Sequence, residues 1–438
     1  MLSSIQIIDV LKNWNLWGGV NLAKGTVPRA YLNELTRFVP DRQILSLIGI
    51  RRAGKSTLMF QLMEKLARTG TEEKNLIYIN FEEPLFTQYL SLDLMDAILE
   101  AFTEIVRPSG RVILFLDEIQ NIPSWERWAR VRTDQGFKVI VSGSSSKPVS
   151  SDLATLLTGR HVSLHIHPFS FSEFISSQGL HAADLLKSIK QKARIGTLLH
   201  EYLRWGGFPE AVLMDDQHKK RVLLGQYFED ILYKDVAFRH GLKDINLLKM
   251  LSVYALTNMS NKLSYTRLAK EMTLPSVETV RNYFSFLQEA FLLYEVPKFS
   301  FKYREQIKTP RKMYAADLGM RNAVAFRFSR DIGRLAENFV FLELQRLGYE
   351  IFYFEKKQEV DFYARRASEN PKLINVAWDM SDPSTKQREI TGLKNAMAAF
   401  PLGDALLLTE RLEEKIETPE GKISIKPLWL WTVEAGFR

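Results

Sequence analysis

The segment that most constrains this chain is Gly49-Ile50-Arg51-Arg52-Ala53-Gly54-Lys55-Ser56-Thr57, because its pattern, G-x-x-x-x-G-K-S, works only between a strand and a helix. Both flanks supply that setting. Ile44–Ile48 is a short apolar run that reads as a buried strand, and the residues from Ser56 to Arg68 have helical periodicity with no Gly or Pro. Glycines at the two fixed positions let backbone N–H groups close around phosphate oxygens, and the helix N-terminus adds positive potential. Lys55 is expected to neutralise the β- and γ-phosphates of ATP, and the Ser56 hydroxyl to ligate Mg²⁺. Gly49, Arg51, Arg52, Ala53, Gly54, Lys55, Ser56 and Thr57 are therefore the expected nucleotide-binding residues. Two adjacent arginines in such a loop are unusual. They are available to phosphates, to a neighbouring subunit or to solvent.

A second apolar strand, Val112–Leu116, delivers the pair Asp117-Glu118 about 60 residues downstream. Asp117 is expected to hold Mg²⁺, and Glu118 to orient or deprotonate the attacking water. The next apolar run, Lys138–Ser142, leads into Gly143-Ser144-Ser145-Ser146. Ser142 and Ser144 are candidate sensors of the γ-phosphate, against the plainer reading of a Gly/Ser turn. Arg160 precedes a strand, His161–His167, at the position where ring-forming P-loop ATPases carry the arginine that completes a neighbour's site. The alternative is a solvated arginine. The alternating histidines at 161, 165 and 167 have no acidic partners nearby in sequence and read as strand residues.

Taken in order, GIRRAGKST, LFLDEIQ, SGSSS, TGR with HIHPFSFSEF, and YLRWGGFPEAV resemble a family of archaeal and bacterial ATPases related to the AAA+ and STAND classes. The resemblance covers nearly the whole chain. It implies that Gly206-Gly207-Phe208-Pro209 is a GxP-like element, with Pro209 near the adenine. It also implies that the leader carrying Trp14, Trp17 and Arg29 runs over the nucleotide site. Read from the residues alone, Gly-Gly-x-Pro is a rigid loop and the two tryptophans are core.

Phe169 to Arg239 reads as helices and fits an AAA+-like lid. Between Asp244 and Tyr294 lie three helical segments, the last two joined by a short turn at Thr273–Ser276, which is a helix-turn-helix pattern. Phe291–Val296 and Phe299–Tyr303 are the expected wing strands, and the resemblance supports a winged helix. The second helix of the pair has Arg281 as its one cation against Glu278 and Glu289, so base reading by it is not expected. Charge concentrates further on. Val296–Arg334 holds ten Lys/Arg and three acids, nearly all of the net +8. Lys298, Lys302, Arg304, Lys308, Arg311 and Lys312, interleaved with Phe299 and Phe301, are the expected contacts to a nucleic-acid backbone, which would be salt-dependent and nearly blind to sequence. A solvated basic face or a protein-binding module is the alternative.

In the C-terminal third, Glu337 on an amphipathic helix, Asp361 on a strand and a further strand, Leu373–Trp378, resemble the PD-(D/E)xK nuclease core. Active members carry Glu-x-Lys on the third strand. Here that position reads Asn375-Val376-Ala377, with Asp379 just beyond and no residue in sight to replace the lysine. The domain is expected to bind rather than cut.

The chain has no cysteine, which removes disulfides, thiolate metal sites and cysteine nucleophiles. No run of about 18 uncharged apolar residues occurs, and the N-terminus lacks the basic start of a secretory signal. A cytoplasmic protein without membrane partners is expected. The expected fold class is α/β: a parallel-sheet P-loop domain (1–168), a helical lid (169–240), a winged helix (241–305) and a small nuclease-like α/β domain (306–438). The leading function is ATP hydrolysis coupled to remodelling or translocation of nucleic acid, DNA foremost. The enzyme would work as a homo-oligomer, of which a hexameric ring is one form. A STAND-like ATP-dependent switch is the alternative, and a metal-dependent nuclease the third reading.

Overall fold

The computed structural model describes residues 2–145, 161–180, 189–274, 276–326, 332–367 and 369–436. The chain divides into two compact units, residues 1–167 with 289–291, and 168–288 with 292–438.

The first unit is built on five parallel strands, β1 (Ile44–Ile48), β2 (Leu76–Asn80), β3 (Ile113–Asp117), β4 (Lys138–Gly143) and β5 (His161–His165), in the order β2-β3-β4-β1-β5. Near-continuous apolar runs suit a parallel sheet covered on both faces. Alternate residues serve each face. Leu45, Leu47, Tyr78, Phe115 and Ile140 pack with Leu58, Met59 and Leu62 of the helix Lys55–Arg68. Ile44, Ile77, Leu114, Leu116 and Val139 face the opposite way, in a core shared with the helices Leu92–Ile105 and Trp125–Asp134. The β2 edge is closed by side chains of the leader, with Trp17 Nε1 donating to the Leu76 carbonyl at 3.2 Å. Asn15 donates to the Tyr78 carbonyl at 2.9 Å and accepts the Tyr78 N–H at 2.7 Å, as a neighbouring strand would. Trp14 and Trp17 are partly buried and pack against the core, near Tyr78 and Phe102 respectively.

In the second unit come the helices Phe171–Ser177, Ile189–Trp205, Pro209–Val212 and Gln217–Asp230, the last passing into a π-helical stretch, Ile231–Phe238. The helices Ile245–Thr257, Tyr265–Glu271 and Val277–Glu289 follow, with Ser264 capping the second. A small sheet joins β6 (Lys262–Leu263), β7 (Leu293–Val296) and β8 (Arg311–Ala315) in the order β6-β8-β7. The expected second wing strand, Phe299–Tyr303, is thus not a strand. The antiparallel partner of β7 is β8, and between them Tyr303–Lys308 is helical. Phe299 is drawn instead into the C-terminal core, where its ring packs on Tyr363 and Phe400. The C-terminal sheet has β9 (Glu350–Glu355), β10 (Glu359–Arg366), β11 (Glu369–Val376), β12 (Asp404–Thr409), β13 (Glu414–Thr418) and β14 (Gly421–Pro427), ordered β13-β14-β12-β11-β10-β9. The helices Ile332–Arg346 and Pro383–Ala399 pack against it. No described helix is long and apolar enough to cross a membrane.

One buried carboxylate organises the middle of the second unit. Asp317 caps the helix Leu318–Val324, accepting the Met320 N–H at 2.8 Å, and its other oxygen accepts the Gly207 N–H at 2.7 Å. A Cβ on Gly207 would lie 2.2 Å from the Phe169 carbonyl oxygen, so the Gly-Gly-Phe-Pro loop tolerates no side chain there. Burial raises the Asp317 carboxyl to about 6 despite these N–H donors. Its folded pKa lies above the unfolded value, so the stability it contributes is present at low pH and lost as pH rises from about 4 through about 6. Unfolding free energies across that window should therefore fall less steeply for Asp317→Asn than for the wild type. Equal slopes would show that Asp317 does not titrate there.

Candidate nucleotide site

The loop after β1 is shaped by steric need. Gly49 has φ 153°, and a Cβ there would sit 2.2 Å from the Ile166 carbonyl oxygen. Arg52 adopts the left-handed region (φ 68°), and Gly54 (φ 93°) is the residue from which the helix Lys55–Arg68 starts. Lys55 is buried, and its Nζ donates to the carbonyls of Gly49 at 3.0 Å and Ile50 at 3.1 Å, so the amine lies along its own loop. Arg51 reaches out to Glu82 at 3.1 Å. Arg29, from the leader, supports the loop from behind. Its guanidinium donates to the carbonyls of Ala53 and His167, both at 2.7 Å, tying together the leader, the loop and the chain beyond β5.

Facing this loop is the end of β3. Both oxygens of the buried Asp117 carboxylate accept hydroxyl donors, Tyr78 from β2 on one side and Ser142 from β4 on the other. The sheet order, with β3 between β2 and β4, makes this bracket possible. Ser142 Oγ also accepts the Glu118 N–H at 3.1 Å, so one hydroxyl fixes both acids. Burial next to Asp117 holds the Tyr78 phenol well above the ordinary range, with nearby Ser56 opposing the shift. Glu118 is in the left-handed region (φ 52°), a backbone cost of about 1–2 kcal/mol for a residue with a side chain. Its carboxylate is bound by Gln120. Burial raises its pKa, Lys55 and Arg51 oppose the shift, and Asp117 adds to it. Loop cations and strand acids therefore share one electrostatic neighbourhood.

The Ser56 hydroxyl and the Asp117 carboxylate both lie near Tyr78. They are hard oxygen donors of the kind Mg²⁺ takes, since that ion uses few protein ligands and keeps several waters. Ser144 is buried just beyond β4, Ala53 is buried in the loop, and Thr57 is in the first turn of the helix. Pro209 opens the helix Pro209–Val212 in the second unit. Arg160 lies outside the described residues. Sequence reasoning overlooked Tyr78 and Arg29 as site residues. The one signal for Tyr78 is a hydroxyl in the otherwise apolar run Leu76–Ile79, and that for Arg29 is its place in the leader, which the family resemblance sets over the nucleotide site.

The basic run does not form one surface. Lys302, Arg304 and Lys308 are exposed on or beside the helix Tyr303–Lys308, next to Phe301, itself 78% exposed. Lys298 is near Glu355 at 3.9 Å, and Arg311 is bonded to Glu295 at 3.3 Å. Arg321 is buried and donates to the Leu256 carbonyl. Lys312 is a correction. It is buried, with Nζ 2.6 Å from Glu359, 2.9 Å from Glu337 and 3.0 Å from Asp361, and it cannot reach a nucleic acid. The same contacts place an ammonium, from β8, against the acidic pair Glu337 and Asp361, a lysine that the sequence pattern on the third strand does not contain. Asn375 lies beside them, accepting the Asp361 N–H at 3.0 Å, whereas Asp379 is exposed and accepts the Ser381 N–H.

Residues 41–175 match the AAA domain family, and residues 196–331 match a Domain of unknown function (DUF8612). An uncharacterized protein of Methanocaldococcus jannaschii is 33% identical over 412 residues, 91% of this chain and 89% of that protein. An uncharacterized protein of Haemophilus influenzae is 31% identical over 387 residues, 85% of this chain and 92% of that protein. Among solved structures, the Aeropyrum pernix Orc1 protein in complex with DNA aligns with 69% of this chain and 93% of its own, at 15% identity and a TM-score of 0.30.

Replacing Lys55 by Ala removes the loop's buried cation. ATP affinity, measured by titration calorimetry, is expected to fall at least about 100-fold, whereas stability without nucleotide should change by only about 1–2 kcal/mol, the worth of its carbonyl hydrogen bonds. Unchanged affinity would remove Lys55 from the site.

Proposed function

We propose that this chain, which belongs to the same family of AAA-domain proteins as its Methanocaldococcus and Haemophilus relatives, hydrolyses ATP and uses the cycle to bind and remodel or translocate nucleic acid, foremost DNA. The observation that carries the ATPase reading is the single bracket Tyr78–Asp117–Ser142–Glu118, facing a loop whose Lys55 is buried beside it. In the proposed reaction the loop N–H groups from Gly49 to Thr57 cradle the phosphates, and Lys55 leaves its carbonyls to meet the β- and γ-phosphates. Water attacks the γ-phosphorus, Glu118 takes its proton, and ADP is the leaving group. Ser56 and Asp117 would hold Mg²⁺, which when bound neutralises charge on the phosphate oxygens. Ser142 positions both acids, and Ser144 is the remaining sensor candidate. Arg160 of a neighbouring copy would complete the site, which makes the working form an oligomer.

Nucleic-acid binding rests on the exposed cations Lys302, Arg304 and Lys308 beside the exposed ring of Phe301. A phosphate backbone meets such a cluster by charge, with an aromatic ring available for stacking. In this reading the helices from Ile245 to Glu289 with β7 and β8 act as a winged helix, and the C-terminal sheet as a nuclease-like fold that binds. One observation favours a second reading, a slow ATP-dependent switch. Asp317 and Phe169 clamp Gly207 of the Gly-Gly-Phe-Pro loop, a rigid element suited to transmitting nucleotide state.

The two are separated by steady-state ATP turnover with and without DNA at low salt. The motor reading predicts stimulation by DNA. It also predicts at least about tenfold loss of DNA affinity in the triple reversal of Lys302, Arg304 and Lys308 to Glu, with basal turnover kept. Turnover indifferent to DNA, with no binding at low salt, sinks the motor and leaves the switch.

A further inference from the structure

The PD-(D/E)xK resemblance implies a divalent metal held between Glu337 and Asp361, and the residues present do not fit one. Among the described residues no group of three or more His, Cys, Asp or Glu could hold a metal ion as it stands. The reason is visible in the geometry. Lys312 is 2% exposed, and its ammonium has three N–H donors. Three carboxylates meet it, Glu359 at 2.6 Å, Glu337 at 2.9 Å and Asp361 at 3.0 Å. Each acid is held from behind. Tyr314 donates to Glu337 at 2.7 Å, the Val376 N–H to Asp361 at 2.9 Å, and Lys262 to Glu359 at 2.6 Å. The acids are thus pre-assembled around a point, and that point is a nitrogen. Carboxylate oxygens surround a divalent ion at about 2.0–2.6 Å, so these oxygens are spaced for an ammonium and would need only a small inward shift to close on a metal.

We propose that Lys312 is a built-in counter-cation occupying the divalent-cation position of the C-terminal domain. The site is closed to metal in this chain and opens to a hard divalent ion when the lysine is removed. Two consequences follow. The domain performs no metal-dependent cleavage, for a reason distinct from the lost acid at Asn375. The strand β8, which carries Lys312, is bound to β10 and to the helix Ile332–Arg346 by charge, so the small sheet β6-β8-β7 and the C-terminal sheet are locked to each other. A lone buried ammonium would not be tolerated there without its acids, nor the acids without a cation.

The test uses the full-length chain, nucleotide-free, with Mn²⁺ alone as the probe, so that it is independent of ATP turnover. Lys312→Ala is expected to melt lower than wild type in chelator, to regain stability in millimolar Mn²⁺, and to bind Mn²⁺ at least about tenfold more tightly than wild type by water-proton relaxation. Adding Asp361→Asn to that variant should abolish the gain. Lys312→Ser, which also vacates the cation position and leaves a polar group beside the acids, provides the same comparison if the alanine variant does not fold. The proposal is overturned if neither lysine variant gains Mn²⁺ affinity. It is also overturned if the wild type already binds an Mn²⁺ ion that Asp361→Asn alone removes. That second measurement needs no change at Lys312.

Discussion

The buried Asp117 carboxylate is the interaction on which the nucleotide site turns. A charge taken out of water must be matched by hydrogen bonds or an opposite charge. Here the two strands flanking β3 each contribute one hydroxyl, Tyr78 and Ser142. The consequences spread outward. Tyr78 is fixed because Asn15 completes the β2 edge around its peptide groups. Ser142 anchors the strained turn that carries Glu118. Ser56, at the start of the phosphate-loop helix, lies close enough to Tyr78 to affect its phenol, so the hydroxyl and the acid at the end of β3 are near neighbours. The leader, which precedes β1 (Ile44–Ile48), adds a second tie at Arg29 and so supplies both the edge cap and the support for the loop.

How much of this was legible in the sequence depends on how far the partners lie apart along the chain. The loop from Gly49 to Thr57 is contiguous, and a contiguous motif between an apolar strand and a helix can be read directly. The strands at Ile44, Val112 and Lys138 were equally clear, because buried parallel strands are uninterrupted apolar runs. Tyr78 and Asp117 are 39 residues apart, and Arg29 and His167 are 138 apart. No local pattern encodes such pairs. They follow from strand order, which the sequence does not display.

The basic run from Lys298 to Arg334 shows the same limit in a sharper form. Composition treats every lysine as surface charge, whereas a three-dimensional fold can place one inside. Lys312 and Arg321 are buried, and Arg311 is committed to Glu295. Among the described residues of the run, the helix Tyr303–Lys308 and its approach present the exposed cations with an exposed aromatic, and the helix begins at Tyr303, the last residue of the expected strand. Phe299 drew the wing prediction off course because its alternation with Phe301 reads as a strand of period two, when in fact one ring belongs to the C-terminal core and the other to solvent. The missing nuclease lysine was looked for on β11, where the family pattern puts it. The lysine that meets Glu337 and Asp361, Lys312, comes instead from β8, a strand of a different sheet.

The central claim is that Glu118, held by Ser142 beside the phosphate loop, activates water for ATP hydrolysis. The most direct measurement is phosphate release by wild type and Glu118→Gln at saturating ATP and Mg²⁺, with ATP affinity determined on the same samples. The account predicts that the variant binds ATP within a few-fold of wild type, while phosphate release falls by about 100-fold or more, the usual worth of a general base. Release at the wild-type rate from Glu118→Gln, or no release from the wild type under any condition that supports ATP binding, would contradict it.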